Sequence, residues 1–253
     1  MKKTNLIFIA FAILSSFFLS SCATKKSEDA PQLTVKELYS SAAEKFRSKE
    51  YKKAATLFAE VTYQYPYYKG AYRARIMEIY SYYLGQDYDS VIYAIENFIN
   101  MYPAAKEIQY IYYMNGLAYY EQIDIPYRDQ EVTKKARQAF ITLISRFPRS
   151  IYTQDATIKL ELIEDHLAAQ EMIVGRYYIN TGNILSAINR FKTVVDEYST
   201  TSQIQEALYR LVESYTFLGM KKEAEAHAAV LHHNYPKSKW YRDSYNLIQN
   251  MPK

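Results

Sequence analysis

Residues 50–66 read Glu-Tyr-Lys-Lys-Ala-Ala-Thr-Leu-Phe-Ala-Glu-Val-Thr-Tyr-Gln-Tyr-Pro. A turn at Glu50-Tyr51 is followed by small Ala54, by large Phe58 four residues on, and by a stop at Tyr65-Pro66. On a helix, positions four apart share one face. The small residue lets a partner helix approach closely, and the large one fills the space beside it. Proline then ends the helix. The same marks recur along the chain. Asp87-Tyr88 leads to Val91, Ile95 and Tyr102-Pro103, and Ala136 leads to Phe140 and Phe147-Pro148. Gly182-Asn183 leads to Ala187, Phe191 and Tyr198-Ser199, and Gly219-Met220 to Ala224, Ala228 and Tyr235-Pro236. The stops lie 37, 45, 51 and 37 residues apart.

This pattern resembles the tetratricopeptide repeat, a helix–turn–helix unit of about 34 residues. It predicts an all-α solenoid of about five units. The glycines fit that map. Gly85, Gly182 and Gly219 fall at turns within units, where a left-handed cap is expected. Gly116 and Gly175 fall mid-way along first helices, at close-contact positions, and Gly70 opens a helix. The two long intervals have separate causes. Glu121 to Glu131, marked by Pro126, is an insertion between the paired helices of unit three. Ile151 to Asn180 contains no proline and reads as one long helix, with Ile158, Leu162, Leu167 and Met172 loosely at helical spacing. Such a helix offsets the last two units from the first three, so the chain divides functionally near residue 150.

Composition narrows the function. One cysteine among 253 residues builds neither a disulfide framework nor a cysteine-based zinc site. A net charge of +4 is too slight for a nucleic-acid binder. The chain lacks Gly-x-Ser-x-Gly, a Walker loop, His-Glu-x-x-His and a dinucleotide fingerprint, so no enzyme chemistry and no cofactor is expected. His227, His232 and His233 are spaced five and six apart, which does not converge on one metal, and they read as surface histidines. Glu161, Glu164 and Asp165 read as a solvated acidic face.

The N-terminus reads as an address. Lys2 and Lys3 precede an apolar run from Leu6 to Leu19, a secretory signal pattern. That run is short of the roughly 20 residues a spanning helix needs. Leu19-Ser20-Ser21-Cys22 resembles the lipobox of bacterial lipoproteins. The resemblance implies cleavage between Ser21 and Cys22, with an S-diacylglycerol and an N-acyl chain on Cys22. Several acyl chains hold a protein stably on a membrane. Ala23, rather than Asp, favours the outer membrane on its periplasmic side. The predicted organisation is a signal at 1–21, a lipidated tether at 22–33, repeats one to three at 34–150, and the long helix with repeats four and five at 151–253. Cleavage removes Lys2 and Lys3, so half of the net positive charge belongs to the signal.

The 28 tyrosines are the compositional oddity, and nineteen lie between Tyr39 and Tyr127. First helices of such arrays line a concave surface. Setting units one to three in register points Lys36, Tyr39, Phe46 and Arg47 inward, then Arg73, Ile76, Tyr80 and Tyr83, then Tyr110, Tyr113, Leu117 and Tyr120. Six tyrosines with three cations suit an extended peptide that carries aromatic side chains and a terminal carboxylate. Tyr51, Tyr82, Tyr88 and Tyr119 read as packing residues. For unit four the register gives Met172, Arg176 and Ile179, and for unit five Glu206, Tyr209, Glu213 and Phe217. This end is more acidic and less aromatic, which points to a different partner, with Arg176, Arg190, Tyr209 and Glu213 as docking candidates.

From Cys22 to about Ala229 the chain resembles the BamD (YfiO) family, lipoproteins of the bacterial β-barrel assembly machine. The resemblance rests on Tyr65-Pro66-Tyr67 leading to Ile79-Tyr80-Ser81-Tyr82-Tyr83, and on Ile111-Tyr112-Tyr113-Met114-Asn115-Gly116-Leu117. It rests further on Arg128-Asp129 ahead of Ala136-Arg137-Gln138-Ala139-Phe140, and on residues 147–156. Asn115 and Ser199 depart from it, standing where the family tends to have Arg and Pro. The resemblance implies a scaffold that binds the periplasmic domains of BamA through its last repeats, with other lipoproteins where present. Its first repeats would recognise the aromatic C-terminal strand of unfolded outer-membrane β-barrel proteins. A repeat lipoprotein serving peptidoglycan, cell division or a pilus is the competing reading. The Arg-Asp insertion and the long helix argue against it.

Overall fold

The computed structural model describes residues 33–250. The signal, the cleavage site and Cys22 lie outside the described residues. Among the described residues eleven helices follow one another: α1 (Val35–Arg47), α2 (Tyr51–Gln64), α3 (Ala71–Leu84), α4 (Tyr88–Met101), α5 (Ile108–Tyr120), α6 (Glu131–Arg146), α7 (Thr153–Asn180), α8 (Ile184–Glu197), α9 (Ile204–Phe217), α10 (Lys221–Asn234) and α11 (Lys239–Gln249). Each packs on the next. Short connections make neighbours antiparallel, so the helices form five hairpins plus a terminal helix, the fold that the repeat pattern predicts.

The punctuation marks act as helix ends. Tyr65, Tyr102, Phe147, Tyr198 and Tyr235 each occupy the C-terminal cap of a second helix. In each case the carbonyl of the aromatic accepts the amide three residues on, closing one common turn. Tyr198 does this without a following proline. There the Thr201 hydroxyl donates to the same carbonyl at 2.7 Å, supplying the restraint that proline gives elsewhere. The turns inside units one, two, four and five each have one residue with positive φ: Lys49, Gln86, Gly182 and Gly219. Gly85 is therefore not the left-handed residue of its turn. Gln86 next to it adopts that conformation, and Gly85 has φ of −80°.

The small-then-large pattern builds the interior. Ala54, Val91, Ala136, Ala187 and Ala224 are fully buried, with Phe58, Ile95, Phe140 and Phe191 beside them. A Cβ on Gly116 would lie 2.4 Å from the Phe140 ring, and one on Gly175 at 2.4 Å from the Phe191 ring. One continuous core runs from Ile79 in α3 to Leu211 in α9, crossing residue 150 without a break, while unit one closes around its own cluster at Leu38, Phe58 and Val61.

The long helix α7 spans 28 residues, roughly 42 Å at 1.5 Å per residue. Its first half packs on α6 and its second on α8. Leu167 and Met172 are buried, but Ile158 and Leu162 are more than half exposed, because Ala156, Ile163 and Ala168 carry the buried stripe instead. The acidic run is not simply solvated. Glu164 accepts Arg137 of α6 at 3.0 Å, and the Asp165 carboxylate accepts the Ser202 amide from the α8–α9 loop at 2.8 Å. That loop therefore sits twelve residues along α7 from the α6–α7 loop, a step of roughly 18 Å.

Two features escape the sequence reading. The insertion is tied down by Gln130, only 6% exposed, whose amide donates to the carbonyls of Ile125 and Arg128 while its oxygen accepts the Thr133 hydroxyl. The chain also closes with α11, capped by Ser238, with Trp240 against Tyr209 at 5.1 Å between rings. Tyr235-Pro236 was its signal, since every earlier stop of that kind is followed by a helix.

Candidate functional site

The α1, α3 and α5 register brings its tyrosines together. Tyr39 packs edge-on against Phe58, and Phe46 of α1 meets Tyr80 of α3 at 5.8 Å. Tyr83, Tyr110 and Tyr113 lie within electrostatic reach of one another, as do Tyr80 and Tyr110. All six predicted groove tyrosines are half-buried. Burial pushes the Tyr110 hydroxyl up to about 12, aided by the neighbouring Tyr80 and Tyr152. It also raises Tyr83 and Tyr113, with help from Glu121 and Asp155.

The wall continues beyond the predicted set. Tyr152, Asp155 and Lys159, all at the start of α7, complete it. Tyr152 stacks on Tyr113 at 5.0 Å and meets Tyr110 at 5.7 Å. The Tyr113 hydroxyl donates to Asp155 at 2.5 Å, Lys159 pairs with Asp155 at 2.9 Å, and the Lys159 ammonium lies 5.6 Å from the centre of the Tyr120 ring. Placing the unit-four register at Met172 missed them. The extra length of α7 carries its first turns back over α5. Their signal was Tyr152 directly after the unit-three stop.

Several assignments change. Leu117 is buried and Met172 is fully buried, so both belong to the core rather than to a surface. The groove is not solely cationic. Glu121 accepts the Tyr83 hydroxyl at 3.2 Å and Asp155 accepts that of Tyr113, so carboxylates gather at the unit-three end. Apart from Lys159, which pairs with Asp155, the cations of the set lie toward unit one. Arg73 is exposed, donates Nε to the Tyr72 hydroxyl at 3.0 Å, and lies within electrostatic reach of Tyr39 and Glu107. Lys36 and Arg47 stand exposed on α1 and form no ion pair with a described residue. Beyond Tyr120 the wall opens into a cleft of about 620 Å³ between the insertion and α7, lined by Ile123, Ile125, Leu162 and His166 among others.

Tyr51 and Tyr88 pack on Phe46 and Tyr83, and Tyr82 and Tyr119 against the main core, as packing residues should. The docking candidates are engaged within the chain. Arg176 pairs with Glu206 at 3.1 Å, Arg210 bridges Glu206 and Glu213, and Arg190 pairs with Glu171 at 3.1 Å. Tyr209 lies under Trp240 and beside Arg210. His227 stacks on Tyr215, and His232 meets Tyr241. No group of three or more metal-ligating side chains occurs among the described residues.

A family model described as "YfiO: Outer membrane lipoprotein" matches residues 31–231. The chain belongs to the BamD (YfiO) family. Members named outer membrane protein assembly factor BamD include one from Rickettsia prowazekii, 39% identical over 99% of both chains. Another, from Caulobacter vibrioides, is 36% identical over 94% of this chain and 79% of its own. A BamD from Neisseria gonorrhoeae is 32% identical over 87% and 88%. Among solved structures, the type IV pilus biogenesis factor PilW covers 84% of this chain and 98% of its own, at a TM-score of 0.37 and 13% identity. That likeness is too slight to weigh for or against a BamD role.

Proposed function

We propose that this BamD-family chain is a non-enzymatic scaffold for assembling outer-membrane β-barrel proteins. In this reading Cys22 carries the lipid that anchors the chain to the periplasmic face of the outer membrane. Units one to three bind the aromatic C-terminal segment of an unfolded barrel protein. The end from residue 151 onward docks on the periplasmic domains of BamA and on other lipoproteins of the machine.

One observation carries the peptide reading: a half-buried tyrosine wall drawn from three successive first helices, with Lys36, Arg47 and Arg73 toward unit one and the carboxylates Glu121 and Asp155, the latter paired with Lys159, toward unit three. Tyrosine supplies broad contact area with a polar tip at low entropic cost. Arginine takes a carboxylate through charge-assisted hydrogen bonds. A peptide entering this wall is therefore oriented, with its terminal carboxylate toward Arg73 and the α1 cations. Recognition of this kind needs no bond to be made or broken.

The test is fluorescence anisotropy with a labelled peptide that ends in an aromatic-rich strand. Arg73→Glu combined with Tyr80→Phe should weaken binding roughly tenfold, the order expected for one charge-assisted contact. A peptide amidated at its C-terminus should bind weakly to the wild-type chain and lose little more in the variant. Unchanged affinity in both experiments would return these side chains to a packing role. Saturable capture of BamA periplasmic domains by the full chain tests the docking half.

A further inference from the structure

Because consecutive helices are antiparallel, the five loops that follow second helices lie on one edge of the solenoid and the turns within units lie on the other. In units one to three these edges differ in charge. The loops at 65–70, 102–107 and 147–152 hold three cations, Lys69, Lys106 and Arg149, and a single carboxylate, Glu107. The opposite turns at 48–50, 85–87 and 121–130 hold five carboxylates and two cations, and three of the carboxylates are paired, Glu50 with Lys45 and Lys53, Asp87 with Lys52 and Asp124 with Arg128. None of Lys69, Lys106 and Arg149 forms an ion pair with a described residue.

Each loop also couples its cation to an exposed apolar side chain. Tyr67 stands two residues before Lys69 and is 98% exposed; Met101 opens the approach to Lys106 and is 50% exposed; Ile151 stands two residues after Arg149 and is 84% exposed. The repeated pairing is that of an interfacial surface, where amphipathic or apolar groups meet headgroups and cations meet phosphates. The entry of the chain lies on this same edge. The Tyr65 hydroxyl donates to the Leu33 carbonyl at 2.6 Å, which places the start of α1 beside the first of the three loops. Leu33 stands eleven positions after Cys22, a reach of at most roughly 40 Å.

We propose that this edge of units one to three is a docking surface for an anionic phospholipid headgroup layer. The tyrosine wall is thereby held upright at the membrane, and the opposite turns point away, their carboxylates largely paired with cations of their own edge. The orientation rests on the reading of Cys22 as the anchor, but the charge and apolar pattern does not. The step along α7 sets the loops of units four and five back from this plane, so the surface is confined to the first three units.

The test uses the chain from position 22 with Cys22→Ser, so that no acyl group contributes. It is co-sedimented with vesicles of phosphatidylcholine alone, or of phosphatidylcholine doped with phosphatidylglycerol. Binding is expected to the anionic vesicles only, fading as salt rises. Lys69→Glu/Lys106→Glu/Arg149→Glu should lower it roughly tenfold or more. Lys49→Glu/Arg128→Glu, on the opposite edge, should leave it unchanged, with circular dichroism showing equal helix content in all chains. No preference for anionic vesicles, or equal loss in both variants, overturns the proposal and leaves the edge to a protein partner. Intact-mass measurement of the wild-type chain decides the lipidation of Cys22 separately.

Discussion

Gly116 and Gly175 show how narrowly single positions are specified. Both are buried on first helices, and the missing side chain is filled by Phe140 or Phe191 from the partner helix. A methyl group at either site has no room unless the ring moves, and the ring is itself fully buried. Gly116→Ala and Gly175→Ala should each destabilise the chain by about 1–3 kcal/mol, the cost of overpacking. Urea denaturation measures this. Combining Gly116→Ala with Phe140→Leu should recover part of the loss, which a simple change in helix propensity would not. The left-handed turn positions are less strict. Glycine occupies them at Gly182 and Gly219, while Lys49 and Gln86 adopt the same conformation at some cost in strain. That is why Gly85 misled: the turn was legible at Gly85-Gln86, but not which residue bears the positive φ.

At the scale of elements, pairing depends on a few polar braces as well as on the buried stripe. The Asp165 carboxylate holds the Ser202 amide thirty-seven residues away and fixes the α8–α9 loop against the middle of α7. Asp165→Ala should cost about 1.5–3 kcal/mol, the range for a hydrogen bond to a charged group. Hydrogen exchange should quicken at Ser202 and its neighbours while α1 to α5 stay unchanged. The helices themselves were legible because small, large and aromatic residues recur with the period of one face. The braces were not. Arg137–Glu164 and Asp165–Ser202 join residues far apart in sequence, and an acidic run reads the same whether it is solvated or partnered. The clustering of the first-helix tyrosines was legible for the same reason as the helices, up to the point where α7 exceeds the length of a standard unit. Tyr152, Asp155 and Lys159 belong to the wall because of that excess, which register alone does not locate.

For the whole molecule, the tyrosine wall carries a pH dependence as well as the proposed binding surface. Tyr110 is pushed up to about 12, and Tyr83 and Tyr113 are raised, all chiefly by burial. Their folded values exceed the unfolded value near 10, so the protonated hydroxyls favour the fold. That contribution is complete below pH about 10 and is lost as pH climbs through about 12. Alkaline titration followed by circular dichroism and tyrosinate absorbance should show helix loss coinciding with a late group of tyrosine ionisations. Tyr110→Phe should retain more helix above pH about 11. The long helix has a different consequence. Both halves of α7 are docked, one on α6 and the other on α8, so its two ends are keyed to each other in rotation as well as in distance. One inserted residue would turn units four and five by about 100° relative to units one to three, whereas seven would bring them back to within about 20°. Viable changes in the length of this helix therefore fall near whole turns, about seven or eleven residues for example, like teeth on a gear, and the distance between the two ends of the array is quantised.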